Sequence, residues 1–180
     1  MTQDISKQRK ILREMLSWFL VVFTAVMLAF LLRNFVIVNA SVPTGSMRDT
    51  IPERSRIVIS RLAYLFSDPQ RFDVVVFTSP RDDTTLYVKR IVGMPGDTLE
   101  ILGGVVHING EAIYEDYIRG EPSPFDNHGP FFVPEGSFFM LGDYRDISGD
   151  SRHWQEPFVH GDTILGRAVF SYFPSIRAIR

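Results

Sequence analysis

Leu86-Tyr87-Val88-Lys89-Arg90-Ile91-Val92, followed by Gly93-Met94-Pro95-Gly96-Asp97, is the stretch whose reading decides the fold. Its β-branched and aromatic residues, closed by a Pro/Gly turn, read as a strand. Alternation places Tyr87, Lys89 and Ile91 on one face and Val88, Arg90 and Val92 on the other. The two adjacent cations therefore point to opposite faces. One of them faces inward unless the strand lies at an open edge, where both can snorkel to water. An inward lysine is desolvated, which lowers its pKa and leaves it neutral and basic near neutral pH. Such an amine can deprotonate a serine directly.

Outward from this strand the pattern repeats. Arg56–Ser60, Phe72–Phe77, Ser137–Leu141 and Ile164–Phe173 are further short runs bounded by turn formers such as Ser67-Asp68-Pro69. Leu99–Leu102 and Val105–Ile108 flank Gly103-Gly104 and read as a hairpin, with Asn109-Gly110 marking the next reversal. Residues 119–130 read as a loop with poor strand character, and residues 61–66 as at most a turn of helix. Eleven Pro, thirteen Gly and fifteen Phe suit such a turn-rich β-domain. The expected fold is mainly β: an antiparallel, partly closed β-domain, with no linker dividing residues 40–180.

Before this domain the chain changes character. Residues 1–14 are polar and basic, with Lys7, Arg9, Lys10 and Arg13, and Met15–Leu32 carries no charge until Arg33 closes the run. As a helix the run spans about 27 Å, near the thickness of a bilayer's hydrocarbon core. Trp18 sits near one end, where an amphipathic ring favours the interface. More cations precede the run than follow it, which puts the N-terminus in the cytoplasm. The expected organisation is a cytoplasmic N-terminus (1–14), a transmembrane anchor (15–33) and an extracytoplasmic β-domain (34–180), hence a single-pass protein of the cell membrane. A buried core helix is the first alternative. A cleaved signal, with Val38-Asn39-Ala40 as the cleavage site, is the second.

Composition removes several kinds of chemistry. There is no cysteine, so disulfides, thiolate metal sites and a cysteine nucleophile are excluded. A net charge of −2 gives no reason to expect a nucleic acid partner. His107, His128, His153 and His160 show no metal-ligand spacing. No Gly-x-Ser-x-Gly elbow or phosphate-cradling loop occurs. A Ser-His-Asp triad stays open, because triads assemble in space rather than in sequence.

Two further stretches carry polar groups out of pattern. Val42-Pro43-Thr44-Gly45-Ser46-Met47 puts a hydroxyl on a Pro/Gly-shaped segment just beyond the apolar run. Gly45 permits close approach of a second chain, although the same sequence also makes an ordinary turn. Gly142-Asp143-Tyr144-Arg145-Asp146-Ile147-Ser148-Gly149-Asp150-Ser151-Arg152 packs acids, arginines and serines after an apolar strand. It is either a solvated loop or an ion-paired one that orients other groups.

Taken in order, the anchor, Pro43–Met47, Arg71–Phe77, Tyr87–Asp97 and Gly142–Arg152 resemble bacterial type I signal peptidases (leader peptidases), the membrane-bound Ser/Lys endopeptidases that remove signal peptides. The resemblance covers nearly the whole chain. It implies Ser46 as nucleophile and Lys89 as general base. The backbone N–H of Ser46 and the hydroxyl of Thr44 would form the oxyanion hole, and Ser148 would orient the lysine. Asp150 and Arg152 would form a bracing ion pair, with Asp143 and Arg145 in the same loop. Val42, Met47, Ile51, Tyr87 and Val88 would help line shallow pockets for small residues one and three positions before the cut. The partners implied are signal-peptide-bearing preproteins and the lipid bilayer, with no metal, cofactor or nucleic acid. Tyr64, Phe66, Phe131 and Phe132 can rest the domain on lipid or simply pack in its core.

The chain departs from that pattern at Arg48-Asp49-Thr50, where a proline is usual, at Tyr144 and Ile147, where Asn is common, and at Gln155, where Gly is usual. None of these removes a catalytic group. The rival functions are a specialised processing peptidase of the same family, a self-cleaving protease of the repressor kind, and a non-catalytic anchored β-domain.

Overall fold

The computed structural model describes residues 2–31, 37–80, 84–119 and 121–180. Arg33, expected to close the apolar run, and Gly120, within the expected loop, lie outside them. The chain forms two compact units, Met1–Ile37 and Val38–Arg180.

The first unit is one helix, α1 (Thr2–Leu31). No glycine or proline interrupts it, so nothing breaks the i→i−4 ladder. It extends through the polar segment as well as the apolar run. Leu12–Phe30 has a mean hydropathy of 1.7 and none of it is buried, making this a helix long and apolar enough to cross a membrane.

The second unit is mainly antiparallel β. Its strands are β1 (Ile37–Val42), β2 (Ser55–Ser60), β3 (Val74–Thr78), β4 (Leu86–Gly93), β5 (Thr98–Leu102), β6 (Val105–Ile108), β7 (Glu111–Ala112), β8 (His128–Phe132), β9 (Ser137–Leu141), β10 (Phe158–His160), β11 (Ile164–Phe173) and β12 (Arg177–Ala178). The large sheet runs β1-β2-β11-β3-β4-β9-β10, with β12 added beside β11, and the small sheet runs β7-β6-β5-β8.

Burial follows from these positions. β5 and β6 alternate buried and partly buried residues, as a sheet covered on one face requires. β9 is buried at every position and β3 at nearly every one, because both of their faces are covered. Val74 and Val76 enter a cluster with Met47, Ile51, Ile57 and Ile59. Val75 and Phe77 enter another with Ile91, Met140 and Trp154. The opposite faces of β4 and β9 send Val92, Phe139 and Leu141 into a third cluster with Leu99, Ile101 and Val106 of the small sheet.

The expected strands and hairpins are all present, and several details differ. The 119–130 segment does not stay a loop: β8 begins at His128 and pairs with β5 through Leu99–Phe131. Gly129-Pro130 hides the strand's period. A Cβ at Gly129 would stand 2.9 Å from the Leu99 carbonyl oxygen, so the glycine is what lets β8 approach β5. β1, β7, β10 and β12 are short or lie at sheet margins and carry little pattern. Residues 62–64 form a single 3₁₀ turn. The aromatics divide: Phe66 and Phe132 are exposed, whereas Tyr64 donates to Asp73 and Phe131 packs on Phe139.

Phe139 joins the two sheets, fully buried against the rings of Phe131 and Phe158. Phe139→Ala is expected to lower unfolding free energy by about 3–5 kcal/mol, read from the urea midpoint at unchanged slope.

Candidate active site

β4 lies between β3 and β9, pairing Val75 with Lys89 on one side and Arg90 with Leu141 on the other. β3 pairs with β4 from Leu86 to Arg90, and β9 pairs with it from Arg90 to Gly93. Both cations are therefore buried, Lys89 at 4% exposure and Arg90 at 1%, rather than one facing inward. Each needs its own compensation.

Arg90 finds it in Asp143. Its Nε and Nη2 donate to the two carboxylate oxygens at 2.8 and 2.6 Å. Nη1 donates to the Phe72 and Arg180 carbonyls, and the guanidinium lies 3.9 Å from the Tyr117 ring centre. Thr50 Oγ1 also donates to Asp143. The departure in Arg48-Asp49-Thr50 is Asp49, in the proline's place, and its Oδ2 accepts from Arg119 N–H at 3.1 Å; beside it Thr50 ties the Ser46 loop to Asp143, and Arg48 lies 4.0 Å over the ring of Tyr144.

Ser46 sits on a turn closed by bonds from Arg48 N to Gly45 O and from Ile51 N to Met47 O. Met47 and Ile51 are wholly buried and pin that turn to the core. A Cβ at Gly45 would fall 2.3 Å from Glu53 Oε1, the movable end of an exposed side chain. Ser46 is 8% exposed and its Oγ lies 3.5 Å from Thr44 Oγ1.

The register between β4 and β9, carried one residue further, sets Gly142 opposite Lys89. There the chain turns into the charged loop and brings both hydroxyl-bearing segments together. Tyr144 N–H donates to the Ser46 carbonyl at 3.0 Å. A Cβ at Gly142 would lie 2.1 Å from Ser148 Oγ and 2.5 Å from Ser46 O. Lys89 Nζ donates to Ser148 Oγ at 2.9 Å. Among the described residues no hydrogen bond joins Ser46 to Lys89; the amine's bond goes to Ser148.

Burial drives the Lys89 amine down to about 8; Asp150 and Asp143 pull it back up, and the charge of Arg152 adds to the lowering. Asp150 is fully buried and accepts from Arg152 Nε and Nη2 and from Gly142 N–H. Burial alone would raise its pKa, but Arg152, with Gly142 and Ser148, outweighs that and holds it below the ordinary carboxylate range. Arg145 donates to the Gly142 carbonyl and to Glu115.

The structure thus gathers Thr44, Ser46, Lys89, Asp143, Arg145, Ser148, Asp150 and Arg152 around one turn of chain. The expected pocket residues divide. Tyr87, stacked on Trp154, and Val88 keep partial exposure. Val42, Met47 and Ile51 are core residues that offer little or no surface. Arg90, Thr50, Glu115 and Asp126 escaped attention as supporting residues; only the adjacency of Arg90 to Lys89 gave a signal. A cavity of about 920 Å³ is lined by Tyr144, Arg145, Asp146, Arg152 and residues of the 113–126 segment, and by neither Ser46 nor Lys89. Chemistry, not concavity, locates the site. No three His, Asp or Glu side chains converge on a metal position among the described residues.

A hydroxyl and a lowered-pKa amine brought to one turn of chain are the parts that a serine hydrolase with a lysine base requires. The profile described as "Signal peptidase, peptidase S26" matches residues 15–173. The chain is 36% identical over 157 residues to a probable signal peptidase I-2 of Synechocystis, covering 84% of this chain and 70% of that one. It is 33% identical to signal peptidase I S of Bacillus subtilis over 96% of this chain and 95% of the other. A crystal structure of a signal peptidase I from Enterococcus faecalis is 35% identical, covers 56% of this chain and 97% of its own, and has a TM-score of 0.48. The chain belongs to the signal peptidase, peptidase S26 family.

Gly142→Ala is expected to push Ser148 and the Ser46 loop apart and lower kcat/KM about a hundredfold while the domain stays folded, as peptidase assays and a melting curve would show.

Proposed function

We propose that Ser46 and Lys89 are the dyad with which this serine endopeptidase removes signal peptides from secreted preproteins. The observation that carries the reading is the buried Lys89 amine, lowered to about 8 and held by Ser148 beside the Ser46 loop. A neutral amine is the only form that can accept a proton, and this one is partly neutral at pH 7.

The geometry supports an acyl-transfer sequence. As Ser46 Oγ bonds the scissile carbonyl carbon, its proton passes to Lys89 Nζ. The resulting oxyanion takes hydrogen bonds from the Ser46 N–H and from Thr44 Oγ1, each donor worth roughly 3–4 kcal/mol in a comparable protease. The C–N bond then breaks, and Lys89 gives its proton to the departing amine. Water, deprotonated by the same amine, releases the acyl group and restores Ser46. Ser148 keeps Nζ aimed; catalytic contacts that are long in the free enzyme tighten once substrate is bound. Tyr87 and Val88 are the exposed wall for the residues before the cut, with Val42, Met47 and Ile51 shaping it from beneath.

The family and the apolar helix make this a membrane-anchored protein. In the proposed topology α1 crosses once, residues 1–14 stay in the cytoplasm, and the β-domain from residue 34 faces outward, following the distribution of cations. A preprotein held by its own signal peptide shares that bilayer, which raises the effective concentration of the cleavage site.

Ser46→Ala and Lys89→Ala are each expected to lower kcat/KM for a signal-peptide-bearing precursor by about 10⁴-fold or more. Continued processing by both variants would overturn the dyad. The pH profile has a fixed sign. Below about 8 the amine is protonated, so kcat/KM should fall tenfold per pH unit on the acid side and level off above it. A rate flat into acid would rule out a neutral lysine base.

A further inference from the structure

Asp126, in the segment between β7 and β8, is bonded through every polar group it has. Its N–H donates to the Ser123 carbonyl and its own carbonyl accepts from Gly104 N–H in the β5–β6 turn. Its Oδ2 accepts from Arg152 Nη1 at 2.8 Å, and its Oδ1 from His128 Nε2 at 2.8 Å. The carboxylate is thus fixed at both oxygens and tied by its backbone to the small sheet.

Arg152 connects Asp126 to the charged loop. Its side chain is 2% exposed. Nε and Nη2 grip Asp150, Nη2 also holds the Arg145 carbonyl, and Nη1 goes to Asp126. Asp150 takes the Gly142 N–H, and Ser148, packed on Gly142, helps to hold the Asp150 pKa low. Ser148 accepts from Lys89 Nζ. An unbroken run of polar contacts therefore leads from the small sheet to the amine. A guanidinium held on one edge by one carboxylate can still rock about it; a second carboxylate from another chain segment removes that freedom.

We propose that Asp126, itself oriented by His128, is a positioning residue for the Lys89 amine, acting through Arg152, Asp150 and Ser148. The inference rests on the Ser/Lys dyad proposed for this site and adds a residue that the dyad does not contain.

Electrostatics set the direction of the effect. The charged groups facing Lys89 are Asp150, Arg152 and Asp143, with Arg90 next in the strand. Those facing Asp126 are Arg152 from the charged loop and His128 from β8, whose ring packs edge-on to His153 at 5.4 Å; His153 Nδ1 lies 3.8 Å from Asp150, and Glu121 and Arg145 share the cavity wall with Asp126. With Asp126 neutral, the positive charge of Arg152 is balanced by Asp150 alone. The field at Lys89 becomes more positive, and its proton leaves more easily. A bond that only tied the small sheet to the loop would lower stability and leave the acid limb of the pH profile in place.

The test uses the full-length protein in detergent, with kcat and KM for a signal-peptide reporter measured against pH. Asp126→Asn is expected to lower kcat about tenfold with KM within about twofold. The acid limb should move down by roughly half a pH unit. Asp126→Glu, which restores the charge, should return the limb and most of kcat, with melting curves confirming that both variants are folded. An unmoved limb in Asp126→Asn, or Asp126→Glu no better than Asp126→Asn, overturns the proposal. The Lys89→Ala control separates the two levels. If it still cleaves, the dyad reading falls and this inference with it; if it is inactive while the Asp126→Asn limb stays put, this inference alone falls.

Discussion

Arg90 gives one edge of its guanidinium, Nε and Nη2, to Asp143 at a depth where neither side chain meets water. Taking such charges out of solvent is expensive, and the interior keeps them only with near-complete hydrogen bonding. Arg90 achieves this with two carboxylate oxygens, two backbone carbonyls, Thr50 and the Tyr117 ring. The consequence is spatial. Arg90 belongs to β4, Asp143 opens the charged loop, and Thr50 belongs to the Ser46 turn. One ion pair therefore locks three distant segments in register, and Lys89, the neighbour of Arg90, is delivered to the opposite face with no freedom to choose its surroundings.

That second face works by the contrary principle. Where Arg90 is fully compensated, Lys89 receives one hydroxyl, Ser148, and carboxylates held at one remove. Burial then dominates, and the amine's proton becomes loose. A direct carboxylate partner would hold the proton in place and undo that lowering. The arrangement of Asp150 and Arg152 can be understood in those terms: an almost neutral pair orients Ser148 without placing a bare negative charge on the amine.

Much of this was legible in the chain. Period-2 alternation and the Gly103-Gly104 and Asn109-Gly110 turns located the strands and hairpins, because these signals are local. Lys89 beside Arg90 showed that strand faces would have to divide two cations. The count of buried cations came out differently, since burial on both faces depends on β4 being central, and strand order is not a local property. β8 escaped because its glycine and proline serve a close approach to β5 that only the fold explains. The pairings of Arg90 with Asp143 and of Arg152 with Asp126 span many residues, and sequence offers several equally charged partners for each. Tyr144 looked like an isolated departure until the structure set Arg48 over its ring.

The burial of Lys89 also illuminates how the β-domain is composed. From Val38 to Arg180 it is the only lysine; the other permanently charged cations there are arginines. Arginine holds its proton at any physiological pH and so serves wherever a permanent charge is wanted. The domain thus contains one side-chain amine, and it is the one whose proton is held loosely. Reagents that acylate free amines would find a single side-chain address in this domain, and with Lys89 at 4% exposure the burial of that amine sets how fast they reach it.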